Sequence, residues 1–256
     1  MSKLGNNTVA RRSIATTTLV VGATGATGSL LLEQLLFAGG QVRAIARSPE
    51  KLKDEVRSHP NMKVIRASVL DIPDAEMREH VRGCGAVVSC LGHVMDFKGV
   101  YGAPKLLCTD AVCHLCRAIE GNAPADPVRF ILMNTVGAAN PDIDAQRTLF
   151  DRVVLALLRR AIPPHRDNEN ALQHLHQDVG TSNQYIEWCA VRPDSLTNSE
   201  VSQYEILPSP VTGIFSGRPT ARANVAHFMA ALVSGTALWQ QWKFQTPVVM
   251  NAIEQN

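Results

Sequence analysis

The sequence predicts a doubly wound α/β fold: a mostly parallel sheet with helices on both faces and a small C-terminal cap over the substrate. Three observations lead there. Apolar runs alternate with helical patterns from residue 17 to about 135. The run at 85–92 is almost wholly apolar, as expected of a strand covered on both faces. The first run leads straight into glycines at 22, 25 and 28, followed by a helical pattern. A repeated strand–helix–strand series builds a parallel sheet through crossover connections.

Taken in order, the first strand starts at Thr17, and SLLLEQLLFAGG follows as a helix stopped by Gly39-Gly40. QVRAIAR (41–47) is a strand with apolar residues at every second position. Ser48-Pro49-Glu50 supplies an N-cap, a proline at the first helical position and a first-turn acid, for a helix to about Arg57. MKVIRASVL (62–70) is the third strand, 74–82 a short helix, 85–92 the fourth strand, 104–120 a long helix and 128–135 the fifth strand. The rhythm then changes. Helices are expected at 144–161, ending at Pro163-Pro164, and at 166–177, with a sixth strand at 185–193. Residues 194–220, with prolines at 208, 210 and 219, read as an irregular cap with a short strand near 203–207. A helix at 221–234 and a strand at 246–251 close the pattern, and no internal repeat is visible.

Residues 1–16 hold no acid, and Arg11-Arg12 precede an apolar stretch, a superficial likeness to an export or transit signal. The stretch that follows is better explained as the first strand and its glycine loop. Residues 1–16 are therefore read as a mobile polar extension and 17–256 as one domain, a length that one core can span.

Composition narrows the function. With 25 basic and 23 acidic residues the net charge is +2, too balanced for a dedicated nucleic-acid binder. No apolar run approaches membrane-spanning length. Six cysteines in 256 residues do not make a disulfide scaffold, and several lie inside apolar runs, so a reducing, cytoplasmic compartment is expected. Cys113 and Cys116 form a CxxC, but no second pair stands at metal-ligand spacing, so the two are read as one side of a helix and no metal site is expected.

Val20-Val21-Gly22-Ala23-Thr24-Gly25-Ala26-Thr27-Gly28 is the most informative stretch. Gly22 permits the turn off the strand, Gly25 lets the backbone approach a pyrophosphate, and Gly28 lets the helix pack on the sheet. The phosphates would sit on the free N–H groups of the helix N-terminus. This is the strand–turn–helix context of a Rossmann-type dinucleotide site. An NAD site usually ends its second strand with an acid that accepts from the ribose 2′-OH. Here that place holds Arg47, with Arg43 earlier on the strand and no acid nearby before Glu50. A guanidinium suits the 2′-phosphate of NADP(H), the expected cofactor.

The motifs GATGATG (22–28), Arg47, VVSCLG (87–92), VRPDSLTN (191–198) and RANVAHFMAALV (222–233) together resemble the atypical short-chain dehydrogenase/reductases. The likeness is strongest to the NmrA-like, NAD(P)H-binding branch related to the biliverdin-IXβ/flavin reductases, and it spans about 18–251. It implies that Ser68 and Val69 border the adenine, although the family commonly has Asp where Ser68 stands. It implies that Leu91 and Gly92 line the ribose and phosphates, that Asn134 and Thr135 border the nicotinamide, and that Arg192-Pro193 lie near that end.

The family's usual Tyr-x-x-x-Lys pair is missing: none of Tyr101, Tyr185 and Tyr204 has Lys four positions on, and Thr135 replaces the usual Ser. The corresponding stretch offers His165 as a proton donor, with Asp167 or Glu169 to orient it. An equal reading makes Asp167 a helix cap and His165 a surface residue. His93, just beyond the fourth strand, is a rival donor. The expected function is NADP(H)-dependent hydride transfer to a small organic substrate such as a quinone, flavin or carbonyl. The alternative is a catalytically silent, NADP-binding redox sensor. A small-molecule partner is expected, and neither nucleic acid nor membrane.

Overall fold

The computed structural model describes residues 2–4, 17–93, 104–138, 163–209 and 218–252. The strands are β1 (Ser2–Leu4), β2 (Thr17–Val21), β3 (Gln41–Ala46), β4 (Met62–Arg66), β5 (Cys84–Ser89), β6 (Val128–Met133), β7 (Ile186–Pro193), β8 (Leu196–Thr197), β9 (Tyr204–Leu207), β10 (Thr220–Ala221) and β11 (Val248–Asn251). The helices are α1 (Ala26–Phe37), α2 (Asp54–Arg57), α3 (Asp74–Val81), α4 (Leu107–Asn122), α5 (Pro163–Gln173), α6 (Arg222–Ser234) and α7 (Thr236–Trp242).

Strand alternation decides which helices the sheet holds. Val20, Ala86, Val88, Ile131, Cys189 and Val191 point to one face, where α1 lays Leu31, Leu32, Leu35 and Leu36 and α6 lays Val225, Phe228, Met229 and Leu232. The intervening Leu19, Val21, Val87, Phe130, Leu132, Trp188 and Ala190 point to the other. There α3 supplies Met77 and Val81, α4 supplies Val112, Leu115 and Ile119, and α5 supplies Ala171 and Leu172. Burial on both faces is why the run at 85–92 is almost wholly apolar.

The nine-stranded sheet has the order β4-β3-β2-β5-β6-β7-β11-β9-β1. Neighbouring strands from β4 to β7, and β11 on β7, pair in parallel, while β9 runs against both β11 and β1. This is the expected doubly wound, mostly parallel Rossmann-type sheet. Its order reverses at β2, so a crevice opens beyond the carboxyl ends of β2 and β5.

Several boundaries differ from expectation for local reasons. The third strand stops at Arg66, because Ser68 accepts the Asp71 N–H at 3.0 Å and closes a turn. The helix expected over 49–57 divides into a 3₁₀ turn (Pro49–Lys51) and α2, with buried Leu52 between them in extended conformation. The helix at 166–177 begins at Pro163 and ends in a π-helical turn, His174–Val179, closed by Gly180 at φ +65°. Ser2–Leu4, expected in a mobile extension, pairs with Tyr204–Ile206 as an edge strand. Helix α7 and the parallel pair β8–β10 were not foreseen. The helix expected at 144–161 and cap residues 210–217 lie outside the described residues.

Helix α6 is closed from the sheet. Arg129 of β6 donates to the Leu232 and Val233 carbonyls at 3.0 and 2.9 Å and lies over the Trp239 ring. Trp239 and Lys243 both donate to Glu187 of β7, at 2.6 and 2.7 Å. Among the described residues, no helix is long and apolar enough to cross a membrane.

Candidate functional site

The turn after β2 is shaped by contacts that exclude side chains. Gly22 has φ +75°, and a Cβ there would lie 2.4 Å from the Cys90 carbonyl. A Cβ on Gly28 would lie 2.2 Å from the Gly22 oxygen. Gly25 differs: its φ is −74°, and a Cβ would meet only the Gly22 oxygen, at 3.2 Å. Gly25 is the N-cap of α1 and makes no side-chain cap, no acid stands in the first turn, and Gly25 and Ala26 are exposed. Ala23 and Thr27 are buried beneath them, with Thr24 half-buried. The open N–H groups and positive dipole end suit an anion, so these residues fit a dinucleotide's pyrophosphate.

The strand ends beside this turn divide into tied and untied groups. Arg43 is tied: its Nη1 donates to the His80 and Arg82 carbonyls, both at 2.8 Å, at the end of α3. Arg47 is exposed, and its side chain has no polar partner among the described residues. The next acid, Glu50, is engaged by Arg66 at 3.0 Å, which leaves Arg47 as the charged group at the end of β3. Ser68 is half-buried and Val69 buried after β4, where the Val69 carbonyl lies 3.2 Å from His114 Nδ1. Cys90 N–H donates to Val21 at 2.9 Å, and this sets Leu91 and Gly92 directly beside the glycine turn.

Helix α5 meets the ends of β5 and β6. Asn134 is buried, donates through Nδ2 to the Asn168 carbonyl at 2.9 Å, and accepts the Thr135 N–H at 2.8 Å. Thr135 Oγ1 accepts the Gly137 N–H at 3.3 Å. A Cβ on Gly137 would come within 2.8 Å of the His165 ring, so glycine makes room for that histidine. His165 Nε2 lies 3.6 Å from Glu169.

Asp167, fully buried, does not orient His165, as the sequence reading allowed. It accepts from His93 Nε2 at 2.8 Å, from the Cys108 and Thr109 N–H groups at 2.7 and 2.9 Å, and from Thr109 Oγ1 at 2.6 Å. It is a cap, but of α4 rather than of its own helix. Burial pushes its pKa up, and the hydrogen bonds from Thr109, Cys108 and His93 more than offset this, holding it below the ordinary carboxylate value.

Other candidates resolve as packing. Arg192 is fully buried and donates to the Thr246 and Ala138 carbonyls at 2.8 and 3.2 Å. Cys113 and Cys116 are unbridged on α4, with Cys116 in the core. Tyr204 is buried at the far edge of the sheet, its hydroxyl 2.7 Å from His227 Nδ1, and Tyr185 lies just before β7, at the end away from the crevice. Tyr101 lies outside the described residues. His93, Cys108 and Asp167 bring metal-ligating types together. Burial, then the Asp167 charge, pushes the Cys108 thiol well above its ordinary value. Asp194, which the sequence reading passed over, follows β7 with its pKa raised by burial, which outweighs the hydrogen bonds from the Ser195 backbone and from its hydroxyl at 3.4 Å. Its signal was its place after a strand end.

A doubly wound sheet with an open glycine turn at its switch point defines a dinucleotide-binding α/β domain. The chain belongs to the NAD(P)H-binding family, whose profile matches residues 22–235. That bears out the resemblance at the level of the family, with a nicotinamide cofactor. An uncharacterised chloroplastic protein of Arabidopsis thaliana is 44% identical over 55 residues, which are 22% of this chain and 20% of that protein. The chain is similar in fold to the oxidoreductase YlbE of Lactococcus lactis, at TM-score 0.65 and 20% identity over 92% of this chain and 91% of that one. It is also similar to ChuY, an anaerobilin reductase of Escherichia coli O157:H7, at TM-score 0.66 and 17% identity over 94% and 100%. A Rossmann-fold NAD(P)-binding protein of Shigella flexneri gives 0.63 and 15% over 94% and 98%.

Proposed function

We propose that the protein is an NADP(H)-dependent oxidoreductase of the atypical short-chain type, acting on a small quinone, flavin or carbonyl. The observation that carries this reading is Arg47: an exposed guanidinium without a polar partner among the described residues, where a carboxylate would select NAD. In this reading the N–H groups from Ala26 to Gly28 hold the pyrophosphate, the Gly25 N–H being donated to the Gly22 carbonyl at 3.0 Å, and Arg47 holds the 2′-phosphate. Ser68 and Val69 border the adenine, Leu91 and Gly92 the ribose, and Asn134 and Thr135 the nicotinamide. When bound, the reduced cofactor supplies a hydride. Cap residues 194–220 then bear on the substrate.

The absence of any described tyrosine from the crevice favours a second reading, a redox sensor that binds NADP(H) without turnover. Calorimetric titration with NADPH and NADH, followed by NADPH oxidation against quinones, flavins and aldehydes, tests both. Arg47→Ala should lower NADPH affinity about ten-fold or more, from loss of a charged contact worth about 1.5–3 kcal/mol, and leave NADH binding in place. A wild-type preference for NADH would refute the cofactor assignment. Tight NADPH binding with no turnover would support the sensor.

A further inference from the structure

We propose that Glu50 is a built-in competitor for the 2′-phosphate: its carboxylate fills an anion site made by Arg66 and Ser48 beside Arg47, and bound NADP(H) displaces it. The proposal rests on the cofactor reading above. In that reading the adenosine lies between Arg47, at the end of β3, and Ser68 and Val69, just after β4. Arg66 stands between these two markers. It pairs in register with Ala46, the residue before Arg47. The Ala67 N–H donates to the Ala46 carbonyl at 3.2 Å, so the two strand ends stay side by side.

The local fold brings Glu50 to this place. Pro49 and Leu52 are buried while Glu50 and Lys51 are exposed, so the turn after Arg47 is pinned to the core with its charged residues outward. The Lys51 N–H closes that turn on the Ser48 carbonyl at 3.1 Å. Arg66 Nη2 then donates to Glu50 Oε2 at 3.0 Å, and the Ser48 hydroxyl bonds the same carboxylate. The Glu50 backbone N–H first, and Arg66 and Ser48 after it, hold the carboxyl below its ordinary value against desolvation. Surroundings that lower the pKa of a carboxyl favour an anion.

The resident ion pair is weakly held. Its side chains are 67% and 57% exposed, and solvent-exposed pairs contribute little. A phosphate monoester carries about −1.5 to −2 charge at neutral pH and has three acceptor oxygens. It also pairs bidentately with guanidinium groups. It therefore takes Arg66 from a single carboxylate, with Arg47 as the second cation. Arg47 gives up no polar partner among the described residues to join it. NADH has only a hydroxyl at this position and leaves the Arg66–Glu50 pair in place.

The test is calorimetric titration with NADPH and NADH, which needs no turnover. Glu50→Gln keeps the side-chain shape and removes the competing charge. NADPH should then bind about three-fold more tightly or better, and NADH within about two-fold of wild type. Arg66→Gln should weaken NADPH about five-fold or more and spare NADH, and the gain from Glu50→Gln should largely vanish in the double variant. Glu33→Gln is the charge control: it changes net charge equally and breaks the exposed pair with Lys53 at 2.8 Å. It should leave NADPH affinity within about two-fold of wild type. An equal gain in Glu33→Gln overturns the proposal, because net charge alone would then explain it. So does Glu50→Gln with unchanged NADPH affinity, or with a loss of NADH, which would make Glu50 an acceptor for the ribose hydroxyl. Wild type that prefers NADH overturns the cofactor reading itself, whereas wild type that prefers NADPH without the Glu50→Gln gain overturns the competitor alone.

Discussion

The two walls of the crevice are built by different means. Around β2, β3 and the start of the β5 loop the wall is backbone: Gly22 at φ +75°, the Cys90 carbonyl against it, and Gly28 against the Gly22 oxygen. Around β6 and α5 it is side chains from distant segments, with Asp167 joined to a histidine 74 positions away and to a helix 58 positions away. The first wall is determined by sterics within a few residues. The second exists only once the chain has folded.

Four perturbations, in descending order of effect, can break or sharpen this contrast. The largest acts on the backbone wall. Valine at Gly22 or Gly28 would overlap main-chain atoms at 2.4 or 2.2 Å, and at Gly22 the left-handed backbone adds about 1–3 kcal/mol of strain. Both variants should fail to give a cooperative melt by circular dichroism. Gly25→Val should melt normally yet bind no NADPH in calorimetry, because its side chain would occupy the approach to the N–H groups.

The next acts on the side-chain wall. Asp167→Ala leaves buried donors from Cys108, Thr109 and His93 without an acceptor, which should cost about 3 kcal/mol in urea denaturation at pH 7. Because the folded pKa of Asp167 is lowered, its contribution is fully present above the unfolded value near about 4 and fades as pH falls through the folded value. Acid titration of wild type and variant should therefore converge below about pH 4; parallel curves would mean that the carboxylate is not the stabilising species.

A smaller effect is expected of Arg47→Ala. It should spare stability while separating NADPH from NADH, since the side chain has no described polar partner to lose. The smallest belongs to Tyr204→Phe. It removes one hydrogen bond to His227, worth about 1 kcal/mol, and should change neither cofactor affinity nor turnover. A large loss of rate in that variant would place a catalytic group at the far edge of the sheet and void the contrast.

The same division explains what could be read from residues alone. The glycine spacing, the strand-end arginine and the apolar run Leu19-Val20-Val21 before the glycines are local, and they led to the fold and the cofactor wall. Asp167 was read either as a partner of His165, two positions away, or as a cap of its own helix, because sequence neighbours were all that could be weighed. Its own partners come from the β5 exit and from α4. The cap over α4 escaped notice for the same reason: the helix has no capping side chain of its own, and Asp167 arrives from the next described helix. The breaks at Leu52 and after Arg66 depend on burial and turn bonding that no local propensity reports.

Gly25 has a consequence of another kind. Its backbone angles are ordinary, and its missing Cβ is only mildly crowded by its own chain. The fold therefore gives this glycine little reason to exist, unlike Gly22 and Gly28. A saturation library sorted first for folded product and then for nucleotide retention should accept many residues at position 25 in the first sort and discard them in the second. Positions 22 and 28 would be depleted in both. The gap between the two sorts at one residue would thus measure how strongly the ligand, independent of the protein's own stability, has shaped this chain.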